Sequence, residues 1–205
     1  MKGSFIMKKK ILIVCGSILV VVIGVMLFFV LKNKNIEDNV KFAKEYGSVS
    51  EDNVFVYKNI DEIIKIMEHG TGVVYLGFPD CPWCRAYVKY LNEVALDVGI
   101  DEVYYCNILE DRTNNTDSYK KIVSILGDNL QYDKEGNHRI FVPNVSFHVE
   151  GEVIGNDYET SYDTHGLSSA VEYWTNEEVA DLKNRLTMYM EEVNKALNSC
   201  TNCNK

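Results

Sequence analysis

The chain has 205 residues, 46% of them hydrophobic and 25% charged, as expected for one globular domain with an apolar segment added. It carries 30 acidic residues against 21 Lys and Arg, a net charge of −9. Because nucleic-acid binding needs clustered positive charge facing the phosphates, this acidic balance argues against a nucleic-acid partner.

The first predicted element is a membrane-spanning helix. Residues 1–10 form a basic tail with four lysines and no acid, and the 21 residues of 11–31 include no charged side chain. At about 1.5 Å per residue such a helix is about 31 Å long, close to the thickness of a bilayer core. The excess of positive charge before the helix predicts a single-pass protein of the cell membrane, with a cytoplasmic N-terminus and an extracytoplasmic body. A cleaved signal peptide is the alternative, but the run is longer than a usual signal core.

Three further segments follow the apolar run. Residues 32–52 are polar and charged with little periodicity, which predicts a stalk. Residues 53–198 are enough for one domain with its own core. Residues 199–205 form a short tail that contains Cys200 and Cys203.

Helices and strands alternate along the predicted domain. In chain order we predict a helix over 60–68, a strand over 71–78, a helix over 82–98, a strand over 102–108, a helix over 117–126, a loop over 127–138, strands over 139–149 and 152–154, and a helix over 175–197. The early alternation predicts parallel strands with crossover helices, and the two-residue turn between the last two strands predicts a hairpin. The expected fold class is therefore α/β, with a mixed sheet flanked by helices.

The stretch Cys81-Pro82-Trp83-Cys84 directly follows the predicted buried strand. Pro82 suits the first position of a helix, so the Cys81 sulfur is expected at a helix N-terminus. Free backbone N–H groups and the helix dipole favour a thiolate there, and a thiolate is the nucleophile that attacks a disulfide. Cys84 lies one turn later on the same face, where it can close a ring with Cys81 and resolve a mixed disulfide.

Other roles for the cysteines stay open. A purely structural Cys81–Cys84 disulfide closes so short a loop that it removes little chain entropy. Zinc bound by both Cys-x-x-Cys pairs is a second alternative, although more than a hundred residues separate the pairs. Cys200 and Cys203 are candidates for a second redox pair that exchanges electrons with Cys84, or for a terminal disulfide. Cys106, on a predicted strand, is expected to be a buried core thiol.

The run from Phe78 to Arg85 lies between a predicted strand and a predicted helix, and Val142-Pro143 follows later in the chain. Together these features resemble the thioredoxin-like superfamily. The resemblance covers about residues 53–198. It implies thiol–disulfide oxidoreductase activity with catalytic Cys81 and Cys84, no cofactor and no metal. In that family the proline facing the cysteine pair follows a cis peptide bond, so the resemblance implies a cis Pro143. It also implies that Trp83, Val142 and Pro143 contact the substrate.

Two departures from thioredoxins proper matter. Those proteins carry a buried acid in the strand before the motif, and Tyr75 stands in the corresponding place here, so that proton acceptor is absent. Residues 110–138 add a helix and a loop, which is more similar to membrane-anchored extracytoplasmic relatives. The Phe-Pro-Asp-Cys-Pro-Trp-Cys form in particular is similar to bacteriocin transport accessory proteins.

The resulting expectation is an enzyme that oxidises, reduces or reshuffles disulfides in exported proteins. Its implied partners are protein thiols and disulfides, and a redox partner in or outside the membrane. The direction of electron flow depends on the reduction potential, which the sequence does not fix. The alternatives are a non-catalytic thioredoxin-like accessory protein that holds a peptide or secretion partner, and a zinc-held adaptor.

Overall fold

The computed structural model describes the backbone of residues 2–158 and 169–202, and the side chains of residues 20–30, 33–158 and 169–199. The chain divides into two units, Met1–Glu37 and Asp38–Lys205, which are described separately. The first unit is helical throughout its described backbone, as the first part of helix α1, Lys2–Tyr46.

The described side chains of residues 20–30 are exposed. Among the side chains that the structure describes, no helix is both long enough and apolar enough to cross a bilayer. Much of the predicted span over residues 11–31 has no described side chains, so the membrane anchor stays a prediction.

The end of α1 belongs to the second unit and differs from the predicted stalk over residues 32–52. Phe42 and Tyr46 are fully buried there, and the Phe42 ring stacks on Phe55 with centroids 3.9 Å apart. The two aromatic residues are four positions apart, so they share one helix face. The domain therefore begins near Asp38 and takes its first core residues from a segment whose charge suggested solvent exposure.

A five-stranded mixed sheet forms the centre of the second unit, in the order β1-β3-β2-β6-β7. Its strands are β1 (Phe55–Tyr57), β2 (Gly72–Gly77), β3 (Val103–Asn107), β6 (Asn144–Val149) and β7 (Glu152–Asp157). The first three are parallel, β6 runs antiparallel to β2, and β7 runs antiparallel to β6. The predicted α/β class with a mixed sheet and a terminal hairpin is confirmed. Every residue of the central strand β2 is buried.

Further α-helices in the described residues surround the sheet: α2 (Ile60–His69), α3 (Pro82–Val98), α4 (Leu109–Asn114), α5 (Asp117–Leu126), α6 (Ala170–Tyr173) and α7 (Asn176–Asn202). Helices α3 and α7 pack together on the sheet face that carries Phe147, whose ring stacks on Tyr189 of α7 with centroids 5.0 Å apart. Helices α2 and α5 pack together on the other side. The core consequently lies in two layers, one on each face of the sheet.

The structure contains short elements that the sequence pattern did not predict. These are β1, α4, α6 and a two-stranded hairpin of β4 (Gln131–Tyr132) and β5 (His138–Arg139) within the predicted loop. Each is six residues or fewer, too short to establish a clear period. The predicted strand over 139–149 is also split, because β6 begins only at Asn144, directly after Pro143.

Candidate functional site

The turn after β2 fixes the position of Cys81. The Cys81 N–H donates to the Phe78 carbonyl at 3.2 Å, and α3 begins at the next residue with Pro82. The Cys81 sulfur accepts the backbone N–H of Cys84 at 3.3 Å. Cys81 therefore caps the N-terminus of α3 with its own side chain, at the helix end where the sequence predicted it.

The segment before β6 lies against Cys81. Cys81 Sγ donates to the Val142 carbonyl across 3.8 Å, and the Val142–Pro143 peptide bond is cis. The sheet register explains the proximity, because Leu76 near the end of β2 pairs with Asn144 at the start of β6. The two predicted residues Val142 and Pro143 are thus brought to the cysteine pair by antiparallel strand pairing.

The two thiols differ in exposure. Cys81 retains 8% of its surface, whereas Cys84 retains none. Trp83 between them is half-buried, with its ring edge-to-face on Tyr173 at 5.4 Å. Of the two cysteines, Cys81 is therefore the more accessible to solvent.

The thiols also differ in acidity. The hydrogen bond with Cys84 is the largest cause that lowers the pKa of Cys81, to about 7; backbone N–H groups and the charge of Arg112 add to it, and burial opposes it. Burial, together with the interaction with Cys81, raises the pKa of Cys84 well above its usual range. Near neutral pH a large fraction of Cys81 is therefore thiolate while Cys84 stays protonated.

A group of three tyrosines lies behind Cys84. The Tyr46 hydroxyl donates to the Tyr105 hydroxyl at 3.2 Å, and the Tyr46 and Tyr75 oxygens are 3.3 Å apart. Because the Tyr46 hydroxyl donates its hydrogen bond to Tyr105, it can only accept from Tyr75, whose own hydroxyl hydrogen points towards Tyr46 or Cys84. Burial dominates the pKa of Cys84, and the hydrogen bond from Tyr75 lowers it against that effect.

The sequence identified Tyr75 as the replacement for an acid but missed Tyr46 and Tyr105. Tyr46 lay in the predicted stalk, and Tyr105 on β3 had no feature that marked it apart from other core residues. The structure places a buried hydrogen-bond donor, not a carboxylate, beside the second cysteine.

Arg112 of α4 is a further residue that the sequence did not single out. Its guanidinium lies 4.9 Å from the centroid of the Phe78 ring, and its charge lowers the pKa of Cys81. Only the fold brings α4 to the turn after β2, so no local sequence signal could have indicated it.

The other cysteines do not join this site in the described part of the chain. Cys106 is a buried thiol on β3, and burial raises its pKa to about 12, as expected of a core residue. The side chains of Cys200 and Cys203 lie outside the described residues. Within the described ranges, no group of three or more His, Cys, Asp and Glu side chains is placed to hold a metal ion.

No protein-family model matches the chain, and no curated protein sequence matches it. The geometry and acidity of the cysteine pair are consequently the features that bear on function.

Proposed function

We propose that the chain is a thioredoxin-like thiol–disulfide oxidoreductase in which Cys81 attacks and Cys84 resolves. The observation that carries the proposal is the asymmetry of the pair. Cys81 is the more accessible thiol, caps a helix and has a pKa of about 7, while Cys84 is enclosed with a raised pKa. A structural disulfide needs no such difference between its two sulfurs.

In the reducing direction, the Cys81 thiolate attacks one sulfur of a substrate disulfide. The substrate S–S bond breaks, a Cys81–substrate disulfide forms, and the departing thiolate takes a proton from solvent. Cys84 then loses its proton and attacks the Cys81 sulfur, which releases the second substrate thiol and leaves a Cys81–Cys84 disulfide. The pair has given two electrons to the substrate, and the reverse sequence oxidises a substrate dithiol.

The hydrogen bond between Cys81 and Val142 indicates where a substrate is expected to lie. Val142 lies beside Cys81, and its carbonyl oxygen accepts a hydrogen bond from the attacking sulfur at 3.8 Å. We expect an extended substrate segment to pair with the backbone of Val142, with Pro143 and Trp83 on either side. No cofactor is needed, because the exchange involves only thiols and disulfides.

The proposed setting is the outer face of a membrane. We propose that residues 11–31 anchor the chain and that the domain acts on exported proteins, with electrons exchanged through a separate redox partner. A thiol reagent that cannot cross membranes tests this setting: it should label reduced Cys81 in intact cells, and labelling only after lysis would contradict it.

Turnover of a dithiol–disulfide substrate tests the activity. Cys81→Ser should abolish turnover, and Cys84→Ser should accumulate the mixed disulfide with substrate, since the second step is blocked. Cys106→Ser is the matched control and should turn over like the parent. Equal turnover by the parent and Cys81→Ser would refute the enzyme and favour the non-catalytic, peptide-holding alternative.

A further inference from the structure

A cleft of about 560 Å³ lies on the side of the second unit formed by α4, α5 and the β4–β5 hairpin. The residues that line it include four with cationic or titratable nitrogen groups, namely Arg112, Lys120, His138 and Arg139. The chain as a whole is acidic, with a net charge of −9, so a basic concave surface contrasts with the rest of the molecule.

Two arginines, Arg112 and Arg139, line this cleft. Burial and, second, the charge of Arg139 lower the pKa of Arg112. Across the described residues, neither arginine has a carboxylate at salt-bridge distance; Lys120 is paired with Asp117 at 2.9 Å. A half-buried cation beside a second cation is unfavourable until an anion binds them.

The one acidic residue that lines the cleft is engaged by its own hairpin. A carboxylate oxygen of Asp133 accepts the backbone N–H groups of Glu135 at 3.0 Å and Asn137 at 2.8 Å. This carboxylate closes the turn between β4 and β5, while its charge also reaches Arg139. Among the described residues, it lies within salt-bridge distance of neither arginine.

The cleft is connected to Cys81 from one side through Phe78. The Arg112 guanidinium lies 4.9 Å from the Phe78 ring, and the Phe78 carbonyl accepts the Cys81 N–H at 3.2 Å. A group bound by Arg112 is thus linked to Cys81 through the contacts of a single residue, Phe78.

A second connection passes through Tyr119 of α5. Its hydroxyl accepts the N–H of Ile140 at 3.3 Å, two residues before Val142. Arg139, at the edge of the cleft, is the neighbour of Ile140 and lies three residues before Val142, whose carbonyl accepts from Cys81 Sγ. A substrate segment lying along residues 139–142 would pass directly from the cleft to the thiol.

We propose that this cleft binds acidic side chains that flank the target disulfide of a protein substrate. The planar guanidinium fork binds carboxylates with two parallel hydrogen bonds, so a pair of arginines suits one or two Glu or Asp residues. The inference rests on the proposed function, since it names the class of substrate on which the Cys81–Cys84 pair acts. It also gives an acidic protein a local attraction for acidic substrates that its net charge would otherwise repel.

A matched pair of disulfide-bridged peptides tests the proposal with the full-length chain in detergent. The peptides are identical except that two residues flanking the bridge are Glu in one and Gln in the other. We expect the parent to reduce the Glu peptide with a kcat/KM about tenfold higher, the effect of about 1.4 kcal/mol from charge-assisted hydrogen bonds. The ratio should fall as ionic strength rises, because salt screens a partly exposed cleft.

Variants assign this ratio to the cleft. Arg139→Gln should bring the Glu-to-Gln ratio close to one, whereas Arg139→Lys should keep part of it because the charge remains. The matched control is Lys65→Gln, an exposed cation on α2 outside the cleft, which should keep the parent ratio. A preference that survives Arg139→Gln unchanged would overturn the proposal.

The two proposals fail in different ways. Equal turnover of both peptides by the parent, abolished by Cys81→Ser, refutes the acidic-substrate cleft and leaves the enzyme intact. Turnover that does not depend on Cys81 with either peptide refutes the proposed function itself.

Discussion

The hydroxyl oxygens of Tyr46 and Tyr75 lie 3.3 Å apart in the core, although 29 positions separate them in the chain. The Tyr46 hydroxyl donates a hydrogen bond to Tyr105, which leaves the Tyr46 oxygen as an acceptor towards Tyr75. The end of α1 therefore contributes to the polar surroundings of Cys84. Under the proposed function, Tyr75 eases the loss of the proton from the second thiol, against the larger effect of burial.

Replacement of Tyr75 by Phe should slow the second step of the exchange. The change removes the hydroxyl that lowers the pKa of Cys84, and a hydrogen bond to a charged group is worth about 1.5–3 kcal/mol. We expect decay of the Cys81–substrate disulfide to slow by about tenfold or more, measured in a single turnover by acid quenching and mass spectrometry. Tyr105→Phe removes the same hydroxyl group from another of the three tyrosines, one that does not hydrogen-bond to Cys84, and should have a smaller effect. Equal rates for Tyr75→Phe and the parent would contradict a role for Tyr75.

Alkylation of Cys81 should rise with pH through a midpoint of about 7. Because the hydrogen bond with Cys84 is the largest cause of the lowered pKa, Cys84→Ala should move this midpoint upward, towards that of an ordinary thiol. The measurement is the rate of iodoacetamide modification of the Cys81 peptide, followed by mass spectrometry. Arg112→Gln should move the midpoint in the same direction but less, since its charge is the last of the contributing causes. An unchanged midpoint in Cys84→Ala would contradict this assignment.

The lowered pKa of Cys81 also links folding to pH. The pKa of Cys81 in the folded chain, about 7, lies below the pKa of an unfolded cysteine. The contribution of the thiolate to the free energy of unfolding is therefore fully present above the unfolded pKa and is lost as pH falls through about 7. This part of the stability should disappear in Cys81→Ser.

Phe42→Ala should destabilise the domain by about 3–5 kcal/mol, the usual cost of a large cavity in a core. Phe42 has no exposed surface and stacks on both Tyr46 and Phe55. Val40→Ala is the matched control on the same helix, because Val40 is 40% exposed and should cost little. Urea unfolding of the full chain, followed by tryptophan fluorescence, gives both values. Equal midpoints for the two variants would show that residues 38–46 are a solvated stalk after all.

Stability should decrease between about pH 6.5 and 4 because of His148. This side chain is fully buried on β6, and burial lowers its pKa to about 4. As pH falls, the unfolded state binds the proton before the folded state does. The contribution of neutral His148 to the free energy of unfolding is therefore complete above pH 6.5 and is lost below it, at up to about 1.4 kcal/mol per pH unit. His148→Gln should flatten this slope, measured as the urea midpoint against pH.

The sequence predicted the corner between β2 and α3 because several local signals coincide there. A fully apolar run, a proline at the first helical position and two cysteines one turn apart each define the same boundary. Val142 and Pro143 could be connected to that corner only through a resemblance, since their proximity depends on the pairing of β6 with β2.

The residues that sequence reasoning missed are those whose neighbours come from distant parts of the chain. Tyr46 belongs to a charged segment with only two buried aromatic residues, too few to reveal an amphipathic helix. Arg112 and Arg139 lie on separate short elements, and nothing in their local sequence indicates that they share a cleft. Charge and periodicity describe single elements, whereas these groups arise from packing.

The difference in exposure between Cys81 and Cys84 has a kinetic consequence under the proposed function. A sulfur with no accessible surface cannot be attacked by a small thiol from solution, so Cys84 reacts only with a partner already held on Cys81. Release of the substrate by the internal route then depends only on attack by Cys84 within the covalent complex, whereas a free thiol can act only on the Cys81–substrate disulfide. The environment of one enclosed sulfur therefore determines the rate of this internal release.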